Sequence, residues 1–262
     1  MKVFIKYLIA MFFIISINTA YAHDFWLEAH GKKSKNSITS ISARVGPGWP
    51  GKQSVRLDNM VDSLQLFLGN DKGKNINGRD NSYVFGHYNS EKKSTELVVL
   101  QTKNFVLKLP AFEFNQYLDE EGLKEAVQYR KKYNLMSQDS TELFHRIAKI
   151  YPNIIKDNSF NRILNLSFEI SLVTDPLTYK IKSPFILKIT TNGRPIANKQ
   201  IKAQNKDSTK IFLTETDDNG IAIFNLNEPG QWLFSSVNLQ QLYHGEAQWQ
   251  STWSSLVLTI DG

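Results

Sequence analysis

Residues 184–226 read PFILKITTNGRPIANKQIKAQNKDSTKIFLTETDDNGIAIFNL. Runs rich in β-branched and aromatic residues, at 184–191, 199–204, 211–215 and 221–226, have the composition of half-buried strands. Between them stand Asn192-Gly193-Arg194-Pro195 and Asp217-Asp218-Asn219-Gly220, residue types that supply positive φ or hydrogen-bond their own backbone in turns. Further runs at 168–173, 231–237 and 254–260, with Glu228-Pro229-Gly230 before the second of them, bring the number of short strands to seven. That spacing predicts an immunoglobulin-like β-sandwich over 166–262, and the segment from about Ser167 is expected to fold alone.

Upstream, extended runs at 40–45, 63–68 and 97–109 alternate with Gly-, Asn- and Lys-rich segments, which predicts a second β-rich unit over 23–165. Between Glu113 and Tyr151 the chain turns to charged, helix-favouring sequence. Asp139 and Glu142 have capping-box spacing, and Leu143, Ile147 and Tyr151 recur every fourth residue. A helix over about 140–151 follows, with a less regular one over 114–132. On that helix His145 falls opposite the apolar face. The expected fold is thus mainly β: two sandwich-like domains with a helical segment at about 113–151 between them.

The first 22 residues have the layout of a secretory signal: Lys2 and Lys6, an apolar run from Tyr7 to Ile17, and Ala20-Tyr21-Ala22 as the peptidase site. Cleavage after Ala22 places the mature chain in a periplasm and leaves His23 as its first residue. The run is shorter than the ~20 apolar residues of a membrane helix, so the protein is not expected to span a membrane. The formal charge of +6 falls to +4 without the two signal lysines. The remaining basic residues are scattered, which argues against a nucleic-acid partner. With no cysteine, disulfides, thiolate ligands and thiolate nucleophiles are all excluded.

A mature His23 offers an amine and an imidazole to one ion. His244, in the loop before the last strand, is the candidate second imidazole, and together they make the donor set of a histidine brace. His30 and His87, in segments of turn residues, are further candidates. Asp80, within Gly78-Arg79-Asp80, is a candidate oxygen ligand or hydrogen-bond partner of a ligating His; Arg79 and Asp24 are candidate supporting residues. Asp217-Asp218-Asn219-Gly220 lacks the spaced ligands of a calcium loop and reads as a β-turn. Trp26, Trp232, Trp249 and Trp253 read as packing residues. No nucleophile elbow, phosphate loop, dinucleotide fingerprint or HExxH helix is present, so no enzyme activity is expected.

Several separated motifs resemble the NikM-like exported family: His23-Asp24-Phe25-Trp26-Leu27, Gly78-Arg79-Asp80, Leu109-Pro110-Ala111 running into Phe114-Asn115-Gln116-Tyr117-Leu118-Asp119-Glu120-Glu121-Gly122-Leu123, and Glu142 to Lys149. In the C-terminal half the matching motifs are Gly193 to Ala197, Thr216 to Gly220, Pro229 to Leu233 and His244 to Leu256. Asp175-Pro176-Leu177 departs from the family's Asn-Pro-Tyr, and His145 stands where the family commonly has a small residue, so it is not carried over as a ligand. The resemblance implies a periplasmic metal-binding accessory of nickel or cobalt uptake. The expected cofactor is a transition-metal ion, Ni, Co, Cu or Zn, and the expected partner an inner-membrane metal transporter or another envelope protein. The alternatives are a histidine-brace copper enzyme acting oxidatively on a polymer, or a non-catalytic module that binds an envelope protein or glycan.

Overall fold

The structure, a computed structural model, describes residues 23–31 and 36–262; the expected signal segment, 1–22, lies outside them. In chain order the strands are β1 (Asp24–Gly31), β2 (Ser37–Gly46), β3 (Lys52–Ser54), β4 (Val61–Leu68), β5 (Lys74–Asn75), β6 (Val84–Ser90), β7 (Glu96–Thr102) and β8 (Phe105–Leu109). Helices α1 (Ala111–Glu120) and α2 (Lys124–Lys132) follow. The remaining strands are β9 (Ser140–Asn153), β10 (Glu169–Leu172), β11 (Pro184–Thr191), β12 (Arg194–Pro195), β13 (Gln200–Asn205), β14 (Ile211–Glu215), β15 (Ile221–Asn225), β16 (Gly230–Gln241) and β17 (Trp249–Ile260). The molecule is therefore mainly β, and the strands expected after residue 166 all form.

These strands make three layers. The middle layer is a nine-stranded sheet in the order β14-β13-β16-β17-β9-β7-β4-β5, with β8 also paired to β9. Neighbouring strand residues point to opposite faces, and the core divides accordingly. Leu97, Val99, Ile147, Leu256 and Leu258 pack with Ile170, Phe185 and Leu187 of the β10-β11-β12-β15 sheet. Val98, Leu100, Ala148 and Val257 pack on the other side with Phe25, Leu27, Ile41 and Phe85 of the β1-β2-β3-β6 sheet. Beside that second sheet, α1 and α2 cover Phe144, Trp249 and Trp253. Trp26 and Trp232 are fully buried, and Trp249 and Trp253 nearly so, as packing residues should be.

The helix expected over about 140–151 is instead the central strand β9. An apolar recurrence at every fourth residue, as at 143, 147 and 151, fits a two-residue period as well as a helical one. Strand β9 lies between β17 on one side and β7 and β8 on the other. From residue 146 to 151 it is buried on both faces, so that stretch lacks the polar alternation of a half-exposed strand. Asp139 does not cap a helix with Glu142: its Oδ1 accepts the Ala111 N–H at 3.2 Å, at the start of α1. The region expected as one irregular helix over 114–132 is two helices, broken where Gly122 takes φ +64° and any Cβ would meet Gln200 Oε1 at 2.6 Å. His145, expected exposed, is half-buried, with Nε2 3.0 Å from Ser167 Oγ.

The boundary expected near residue 165 falls on the crossover from β9 to β10, yet the middle sheet continues across it. Strand β17 pairs in parallel with β9 from Trp249↔Glu142 to Val257↔Ile150. Strand β1 reaches the C-terminal half as well: Asp24 meets Lys202 Nζ at 3.0 Å and Glu28 meets Lys206 Nζ at 3.4 Å. The two halves thus share one sheet and both of its cores. Among the described residues no helix is long and apolar enough to cross a membrane.

Candidate functional site

Charge is buried most densely at the head of β1, where the β1 sheet meets α1 above the middle sheet. His23 is half-buried just before the strand, and Asp24 is almost fully buried. Lys202, from β13, donates from Nζ to Glu121 Oε1 at 2.7 Å and holds Asp24 Oδ2 at 3.0 Å. Glu121 caps the C-terminus of α1, where its backbone N–H returns to the Tyr117 carbonyl at 3.0 Å.

Deeper under α1, Arg146 and Glu142 project from β9 on the same face. The Arg146 guanidinium lies 5.3 Å from the Phe25 ring and 5.1 Å from the Phe144 ring, contacts that disperse its charge. Glu142 Oε1 accepts a hydrogen bond from Ser251 Oγ on the neighbouring β17. Tyr117 of α1 stacks on Trp253, 5.3 Å between ring centres, and closes the site from above.

Burial dominates the electrostatics. It pushes the Glu121 carboxyl up to about 7 against the lowering effect of Lys202, and the Glu142 carboxyl up to about 7. It lowers the Arg146 guanidinium to about 10, although Asp24 and Glu142 act the other way. For Lys202 burial is outweighed by Asp24 and Glu121, which hold its ammonium above the usual range. Burial, then Glu142 and Glu121, raise the Tyr117 phenol well above its ordinary value and keep it neutral. Burial lowers the His23 imidazole, while Asp24 and Glu120 oppose it through space. Three carboxylates thus share two cations. A buried charge without a partner is costly, so the surplus carboxylate takes up a proton near neutral pH. Chemically this is a proton-accepting cluster beside a neutral imidazole.

A stability test follows from the sign of the Glu142 shift. A carboxyl with a folded-state value near 7 and an ordinary value of 4.5 favours the folded state below about 4.5, and that advantage is lost as pH rises through 7. Glu142→Gln keeps an acceptor for Ser251 and removes the ionisation. The variant is expected to be more stable than the parent at pH 8, by up to ~3 kcal/mol, and to match it near pH 4.5. Melting curves at the two pH values check this; an equal difference at both would reject the assignment.

The residues singled out from sequence are spread across the fold. His30 and His87 flank Ser40 of β2 in register, with His30 roughly 20 Å along β1 from its head at ~3.3 Å per residue. His30 Nε2 lies 2.8 Å from Ser42 Oγ, and His87 is exposed. Asp80 occupies the turn before β6, where its Oδ1 accepts the Asp58 N–H at 2.8 Å; Arg79 beside it is exposed. His244 is exposed in the β16–β17 turn. Among the described residues no three His, Asp or Glu side chains form a group able to hold a metal ion, so His23, His244, His87 and Asp80 are not gathered into one site. Asp24 does adjoin His23, but its carboxylate is engaged by Lys202. Asp217 closes the expected β-turn, accepting the Gly220 N–H on its carbonyl and the Asn219 N–H on Oδ1, both at 2.9 Å.

Sequence reasoning missed Lys202, Glu121, Arg146, Glu142 and Tyr117 as a set. They come from α1, β9 and β13, and only the fold brings them together. One signal was present: Glu142 and Arg146 are an even number of residues apart, which places them on one face once the segment is read as a strand.

Fold and site define a three-layer β protein with a buried acid–base cluster under its first strand. The model of the domain of unknown function DUF4198 matches residues 20–239, and the chain belongs to that family. No curated protein matches the chain.

Proposed function

We propose that this chain is an exported periplasmic protein that binds a transition-metal ion through His23 once cleavage after Ala22 makes it the first residue. The observation that carries the reading is the placement of His23, half-buried at the head of β1, with an imidazole that burial keeps neutral against the pull of Asp24 and Glu120. A neutral imidazole is the form that binds metal. The residue able to hold the ion is His23, through its ring and freed amine, with Glu120 acting on the ring through space. This nitrogen-rich set suits Cu(II) or Ni(II), and also Co(II) or Zn(II). The resemblance to NikM-like proteins supports a role as accessory to an inner-membrane metal transporter or another envelope protein.

Calorimetric titration of the processed protein with Ni(II), Co(II), Cu(II) and Zn(II) tests the reading. Protein beginning Met-His23 is expected to bind at least tenfold more weakly, about 1.4 kcal/mol, because the amine leaves the chelate ring. His23→Ala should lose at least as much, whereas His244→Ala should change nothing. Binding should weaken as pH falls through the amine and imidazole range of ~8 to ~6.5. Equal affinity for the native and extended proteins would refute the terminal site.

A further inference from the structure

A cleft of about 220 Å³ opens between the α1–α2 turn and strands β13 and β16. Its floor is aliphatic, built from Leu123, Ala126, Val237 and Leu239. A second hollow of about 350 Å³ shares Gly122, Leu123, Lys124 and Gln200 with it, and so extends the space around the turn.

The charges on its walls differ in whether they are already matched. Lys124 Nζ lies 2.5 Å from Glu215 Oε1, and Glu121 is held by Lys202 at 2.7 Å. Lys199 is half-buried, and no ion pair joins it to any described residue. Its backbone is fixed, since its N–H donates to Thr216 Oγ1 at 3.0 Å and its carbonyl accepts the Thr216 N–H at 3.0 Å. Burial lowers the pKa of its ammonium, and Glu125 opposes this only through space. A partly desolvated cation above an aliphatic floor is left with an unmet demand for an anion.

We propose that this cleft binds a small monocarboxylate with a short aliphatic tail, its carboxylate on Lys199 Nζ and its tail on Leu123, Ala126, Val237 and Leu239. The cation sets the sign of the head group, Glu125 at the rim disfavours a second negative charge, and the volume limits the tail. Nothing in this reading depends on metal at His23.

The test uses the full mature chain in chelator-containing buffer, with sodium hexanoate and hexylamine as probes and backbone amide NMR shifts as the readout. Hexanoate is expected to give saturable shifts around Leu123, Ala126, Val237 and Leu239 at up to ~10 mM, and hexylamine none. Lys199→Met should weaken hexanoate at least tenfold without lowering the melting temperature. Leu239→Trp, which fills the floor, should abolish binding. The proposal is overturned if hexylamine shifts the same amides, if Lys199→Met binds hexanoate undiminished, or if hexanoate gives no saturable shift. Because Lys199→Met stands on its own, a Leu239→Trp protein that fails to fold leaves the test intact.

Discussion

Lys149→Ala is expected to destabilise the protein by ~3–5 kcal/mol, the cost of leaving one member of a buried ion pair without its partner. For a chain of this size that lowers Tm by roughly 10 °C. Lys149 and Glu169 are both 0% exposed, with Nζ 2.7 Å from Glu169 Oε1 and 2.9 Å from the Ile170 carbonyl. The Glu169 carboxylate also accepts the Leu164 and Leu166 N–H groups, so it anchors the crossover from β9 to β10. The Lys149→Met, Glu169→Gln double variant keeps one carbonyl oxygen, at the Oε2 place that both N–H groups reach, and removes both charges. It is expected to recover more than half of the loss, because buried charge pairs contribute little net stability once both members are gone. Thermal and urea melts of the single and double variants decide it; a double variant as unstable as Lys149→Ala would mean that packing, not charge, holds this junction.

The isolated fragment 166–262 is expected not to form a well-packed monomer, which revises the expectation that it folds alone. Cutting there strips β9 from β17 and turns an interior strand into a long apolar edge, a site for aggregation. It also removes Leu97, Val99, Ile147 and Tyr151 from the core that the fragment would have to complete, and leaves Glu169 without Lys149. The fragment alone should give poorly dispersed amide signals or precipitate, and joint expression with 23–165 should return a soluble complex. A dispersed spectrum from the fragment by itself would show that the C-terminal half carries its own core.

By itself the sequence determined the local periodicity. Strands β11 and β14 stand where the β-branched and aromatic runs and the flanking turns at Asn192-Gly193 and Asp217 to Gly220 place them, because those cues act between near neighbours. It also determined that Trp26 and Trp232 would be buried, since rings of that size have few other stable placements in a packed β protein. It did not determine that residues 140–153 form a strand, because apolar residues four apart satisfy both periods. Only their place between β17 and β7 selects the extended form. Nor could it gather the acid–base cluster: Glu121, Glu142 and Lys202 lie in α1's cap, β9 and β13, and each reads in isolation as an ordinary solvated charge. What separates a surface carboxylate from one raised to about 7 is burial, and burial is a property of the packed layers rather than of any stretch of chain.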